Sequence, residues 1–99
     1  MNDGDIVTVL AFGNEYVGKY NESMSSDSDV ALDKPVMLML TEQGMGFAGS
    51  VAMSGEENPK QVILRNYNLM TKTNPQIATA YRKHTSGLID PSAGGGLII

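Results

Sequence analysis

Along the first three-quarters of the chain, apolar residues come in short bursts that alternate with polar ones or run unbroken. Ile6–Phe12 is a strand candidate rich in Val, Ile and Phe, and Glu15–Asn21 is a second with softer alternation. Gly13-Asn14 between them is a two-residue turn signal. A tight turn there pairs Phe12 with Glu15, which sets Leu10 against Val17, Val9 against Gly18 and Val7 against Tyr20. One face then carries Val7, Val9, Ala11, Tyr16 and Tyr20, with Gly18 in their middle. A glycine inside a strand weakens it unless a bend or a close backbone approach needs one, and a small, strongly bent barrel is such a case.

Asn21–Asp29 is a polar Ser/Asp-rich loop. Val30–Leu32 extends one strand, and Pro35 is placed at the start of the apolar run Val36–Thr41, where a proline removes no ladder donor. Val36–Leu40 has no polar member and is expected to be buried on both faces. After a turn at Gln43–Gly46, Phe47–Met53 is a weaker strand interrupted by Gly49. Gln61–Leu64 and Tyr67–Thr73 are short strands joined by a corner at Arg65-Asn66. The period then lengthens. Asn74-Pro75 is an N-cap followed by proline at the first helical position. Ile77, Ala78, Ala80 and Tyr81 make an apolar stripe, and Arg82, Lys83 and His84 suit the negative end of the helix dipole. Gly87 is the expected helix stop.

The prediction is therefore an all-β fold of five or six short strands, a barrel or a sandwich, with a short C-terminal helix over about 75–85. Residues 1–89 form one domain, and 90–99 form a flexible Gly-rich tail whose Leu97–Ile99 could dock on a neighbouring subunit.

Composition narrows the chemistry. The chain has 99 residues, enough for one marginal core that oligomerisation would help. It has no cysteine, which removes disulfides and thiolate metal sites and fits a reducing cytoplasm. The longest apolar runs are too short to span a bilayer, and Met1–Asp5 is acidic, unlike the start of a secretory signal. A net charge of −4 argues against a general nucleic-acid glue. Its distribution is uneven, however: residues 1–33 hold seven acids and one base, and residues 60–99 hold five bases and one acid. That pattern is either a solvated surface or one acidic and one basic face, the second able to meet phosphates.

Two motifs resemble those of Sm and Sm-like (LSm) proteins, the ring-forming RNA binders. Val17-Gly18-Lys19-Tyr20, then Asp33 ahead of Val36–Leu40, is similar to the family's first motif. Leu64-Arg65-Asn66, then Tyr67–Thr73, is similar to its second, an Ile/Leu-Arg-Gly corner followed by an apolar strand. The likeness covers roughly residues 5–73, and the acidic, compact character looks like a phage-type member. Three departures stand beside it. The loop asparagine that holds a base in the family is not evident in Asp33–Val36, the corner glycine is Asn66, and the helix follows the barrel instead of preceding it. The resemblance implies a small, strongly bent five-stranded Sm-like (SH3-type) barrel and a homo-oligomeric ring, pentamer to heptamer, closed by pairing the last strand of one subunit with the open edge of the next. It implies non-catalytic binding of single-stranded RNA or DNA through loops around Asp33–Pro35 and Arg65–Tyr67.

Arg65 is the first candidate, set either to contact phosphate or stack on a base at a pore, or to pair with Asp33 of its own or a neighbouring subunit. Lys34 and Asn66 are secondary candidates on the two loops, with Asp33 beside them. Tyr67 could stack a base or belong to a core or interface. Lys72, Arg82 and Lys83 form either a basic rim or a soluble helix end. No enzyme is indicated: hydroxyls lack an identifiable base, no acid pair is placed for proton transfer, and His84 reads as helix-end capping. Asp27-Ser28-Asp29 lacks the further ligands of a calcium loop, and no helix follows the glycines at 94–96 to make a phosphate cradle, so no cofactor or metal is expected. The competing function is a structural or assembly module, for instance a phage particle component, holding protein partners through the same barrel.

Overall fold

The structure, a computed structural model, describes residues 1–48, 50–52 and 54–86. Six strands are present: β1 (Ile6–Ala11), β2 (Asn14–Asn21), β3 (Asp29–Thr41), β4 (Gly44–Ala48), β5 (Gln61–Arg65) and β6 (Leu69–Lys72). One helix follows, α1 (Pro75–Ser86). The sheet is antiparallel in the order β4-β3-β2-β1-β6, with β5 paired to β3. The expected tail, Gly87 and the interruption at Gly49 lie outside the described residues.

The all-β architecture with a terminal helix agrees with the pattern of the sequence; a closed five-stranded barrel does not. Nothing among the described residues joins β6 to β4 or β5, so the sheet is open. The sixth strand arises because β3 is long. Its outer half, Met37–Thr41, pairs with β4, and its inner half, Asp29–Asp33, pairs with β5. The expected strand Phe47–Met53 is β4 instead, ending at Ala48, with a single bridge between Ser50 and Glu57 beyond it.

The first hairpin turns one residue earlier than expected. Phe12 (φ 56°) and Gly13 (φ 78°) are the two turn residues, both left-handed, as a tight hairpin with right-twisted strands demands. The register is therefore Leu10↔Glu15, Val9↔Tyr16 and Val7↔Gly18. This slips each pairing by two, and since strand side chains have a period of two, the predicted face survives. Val7, Val9, Ala11 and Tyr16 join Val30, Leu32 and Leu64 in one core cluster, with Tyr20 packed against it.

Pro35 does not begin a strand; it sits inside β3. There Lys34-Pro35 stand opposite the single residue Gly18, and the register shifts by one between Val17↔Val36 and Lys19↔Asp33. This is a β-bulge, one of the few strand positions where proline is tolerated. It re-aims the strand. Val30 and Leu32 face the first core, but Val36 lies beyond the bulge and joins a second cluster on the other face with Val17, Phe47, Ile77 and Tyr81. A Cβ on Gly18 would lie 2.9 Å from Leu32 Cβ and 3.2 Å from the Asp33 carbonyl oxygen, so glycine is required by close backbone approach.

Helix α1 covers that second face. Asn74 caps it, its Oδ1 accepting from the Ile77 N–H at 2.9 Å. The Tyr81 ring is fully buried, edge-on to Phe47, and its hydroxyl donates to the Lys34 carbonyl at 2.6 Å. The helix thus holds the bulge in place. The expectation that Val36–Leu40 is buried on both faces holds for Val36 alone; Met39 and Leu40 are 44% and 84% exposed.

Candidate nucleic-acid interface

Strand β5 ends at Arg65, and the chain turns through Asn66–Asn68 into β6. Asn66 is left-handed (φ 53°), a conformation that asparagine tolerates. Its N–H donates to the Ser28 carbonyl at 2.9 Å, and the Asn68 N–H donates to Leu10 at 2.8 Å. These bonds hold the corner against the β2–β3 loop and the end of β1. That loop is organised by Asn21, whose Oδ1 accepts from the Ser23 hydroxyl and the Met24 N–H.

Arg65 is exposed. Its Nη1 donates to Asp29 Oδ2 at 3.4 Å, and its side chain is 73% accessible. A single long, solvated contact of this kind contributes little and leaves other guanidinium N–H groups for a ligand. The intramolecular partner is therefore Asp29, not the expected Asp33. Asp33 is engaged elsewhere, accepting from Asn21 Nδ2 at 3.3 Å and Gln61 Nε2 at 3.0 Å.

Asp33 and Lys34 were expected on a loop beside Arg65, but the structure does not bring them there. They lie within β3, with Asp33 opposite Gln61 while Asp29 is opposite Arg65. Four residues of strand separate the two positions, about 13 Å. Arg65 and Asn66 share the corner with Tyr67, which is half-buried and packs against the first core. Ser28 and Asp29, which in the sequence stood only as part of a rejected calcium loop, are the residues that meet this corner. They close the polar loop between the second and third strands, which the pairing of β5 with β3 brings beside the β5–β6 corner.

The sequence's acidic and basic halves do not form separate faces. Pairing β5 with β3 and β6 with β1 interleaves them, placing Arg65 by Asp29 and Lys72 Nζ 3.9 Å from Asp5 Oδ2. His84, expected to cap the helix with positive charge, turns inward: its ring lies 5.2 Å from Phe47, with Nε2 buried and unpartnered among the described residues. Burial lowers its pKa from the ordinary value of 6.5. Tyr81 is shifted upward, first by burial and then by the nearby Asp33 carboxylate.

The described residues contain no cluster of three or more metal-binding side chains. No described helix is long and apolar enough to cross a membrane. The chain matches no protein-family model, and no curated protein sequence matches it.

Proposed function

We propose that the chain is a subunit of a Sm-like homo-oligomeric ring, pentamer to heptamer, which captures single-stranded RNA or DNA without making or breaking a bond. The observation that carries this is the Arg65–Asn66 corner: an exposed guanidinium on a left-handed turn, stitched to the β2–β3 loop. The strand order supports it, with β6-β1-β2-β3 followed by a fifth position filled jointly by β4 and β5. The outer edges of β6 and of β4 with β5 have no strand partner among the described residues, and joining them head to tail would hide both. A ring would then gather one Arg65 from every copy, making a local positive field despite the net charge of −4. Recognition would be by phosphate contact and stacking.

Light scattering to obtain the solution mass, with a salt titration of fluorescent oligo-uridine and oligo-deoxythymidine, tests both parts. A ring whose binding weakens with salt and is lost in Arg65→Ala is the expected result. A monomer, or no binding at low salt, refutes the proposal. One feature favours the assembly module as a second reading: the β3–β4 hairpin carries Met39, Leu40 and Met45 into solvent. A ring that binds no oligonucleotide would be the outcome in its favour.

A further inference from the structure

The strand registers line up one row of residues across the helix-side face of the sheet: Leu69 on β6, Leu10 on β1, Glu15 on β2, Leu38 on β3 and Phe47 on β4. In the neighbouring row, Thr71, Thr8, Val17 and Val36, the two valines are buried under α1 with Ile77 and Tyr81. The helix closes over the first row only at its Phe47 end, through Tyr81 and His84. At the other end Leu10 is half-buried and Leu69 is 49% exposed. A groove of about 320 Å³ lies there, lined by these two leucines, by Thr8 and Thr71, and by Asn74, the cap of α1. Glu15 and Lys72 supply its charged lining.

The helix leads the chain away from this groove. It begins at Asn74, beside the groove, and ends beyond His84, beside Phe47. At 1.5 Å per residue, the twelve residues of α1 carry the chain about 18 Å. Residues 87–99 follow and lie outside the described residues. Ten of them, 87–96, four being glycine, precede Leu97-Ile98-Ile99. As a random coil a linker of that length spans roughly 16–19 Å root mean square. That is the length of the helix it would retrace. A tether is most effective when its root-mean-square length matches the span, so the groove of the same chain sees residues 97–99 at an effective concentration in the millimolar range.

The chemistry of the segment agrees. Asp90 is the one charged side chain in 87–99, so residues 91–99 can lie on an apolar row without desolvating an ionised side chain. Ile98 and Ile99 are β-branched and suit a pleated surface. Three extended residues cover about 10 Å, two strand spacings, which is the distance from Leu69 across Leu10 to Glu15, where the row turns polar.

We infer that Leu97–Ile99 fold back along α1 and seat in the groove of their own chain, against Leu10 and Leu69. The segment then covers the end of the row that the helix leaves open. The inference does not rest on the Arg65 corner or on ring closure.

Nuclear magnetic resonance of the full-length chain tests it. A variant of equal length, Leu97→Ser/Ile98→Ser/Ile99→Ser, should shift the amides of Thr8, Leu10, Leu69 and Thr71 and leave that of Arg65 in place. The chain has no cysteine, so Ser92→Cys takes a nitroxide label at a single position. The label should broaden Leu10 and Leu69 strongly, and that broadening should fall when 97–99 are serine or when the exposed Leu69 is replaced, in Leu69→Ser. Arg65→Ala should leave the pattern unchanged, so failure of the corner and failure of the groove are distinguishable. Refolding the nitroxide-labelled chain with an excess of nitrogen-15-labelled chain that carries no nitroxide separates the two sources of the segment. No broadening of Leu10 and Leu69 is expected in that mixture. Broadening there assigns the segment to a neighbouring copy and overturns the inference, as do absent shifts in the triple-serine variant or broadening indifferent to Leu69→Ser.

Discussion

Replacing Gly18 by alanine tests whether the bulge is a matter of space or merely of chain flexibility. The added Cβ would meet Leu32 Cβ at 2.9 Å, the Asp33 carbonyl oxygen at 3.2 Å and Pro35 Cα at 3.3 Å. None of these is the free end of a flexible side chain. Two are backbone atoms, and Leu32 Cβ is fixed to its own. The closest approach falls about 0.5 Å short of ordinary contact, 2.9 against 3.4 Å, so β2 and the bulge must move apart. That movement would also disturb the Tyr81 hydrogen bond to Lys34, since the bulge carries its acceptor. Overpacking of this kind destabilises by about 1–3 kcal/mol. Against it stands the smaller entropy of an unfolded chain with alanine in place of glycine, worth about 0.4–1 kcal/mol in the opposite direction. The net expectation for Gly18→Ala is a loss of about 1–2 kcal/mol. In a domain of this size each 1 kcal/mol lowers the melting temperature by roughly 4–8 °C. Urea denaturation at fixed protein concentration, with thermal melts alongside, measures it. Equal or greater stability would mean that the unfolded-state effect wins and that the glycine is not demanded by the bulge.

Two further predictions concern the groups under the helix. Tyr81→Phe leaves the Lys34 carbonyl without its hydroxyl donor and should lose about 1–2 kcal/mol at neutral pH. The folded-state pKa of this phenol is raised above its ordinary value of 10.0, so the unfolded chain releases the proton first as pH climbs. Its stabilisation is complete below pH 10 and declines above it, and the alkaline decline should be shallower in the variant; identical slopes in denaturation at pH 9 to 11 would refute the assignment. For His84 the sign is reversed. Its folded pKa is lowered from 6.5 by burial, so the unfolded chain takes up the proton first as pH falls, and stability present above 6.5 is lost below it. His84→Leu should flatten the dependence between pH 6.5 and 5, and an unchanged slope would show that the imidazole is solvated.

Local patterning decided which segments form strands and which faces they bury. The alternation in Ile6–Ala11 and Tyr16–Tyr20 named the first core correctly even though the turn was misplaced, because a slip of two residues leaves every side chain on its own face. Asn74-Pro75 and the stripe Ile77, Ala78, Tyr81 likewise specified the helix and its inward side. Gly18 advertised a close approach without revealing what approaches.

What the chain could not disclose locally was anything set by pairing at a distance. Lys34-Pro35 opposite Gly18 is a relation between two strands, and only their alignment turns a proline that resembles a strand start into a bulge inside one. That bulge moves Val36 to the far face, brings Lys34 to Lys60 and away from Arg65, and gives Tyr81 a buried acceptor. The split of β3 between β4 and β5 has the same origin. Amphipathic period is a property of neighbours along the chain and survives in the sequence; register and charge placement arise from contacts across the sheet, where residues far apart in order become adjacent and a shift of one position reverses what faces the core.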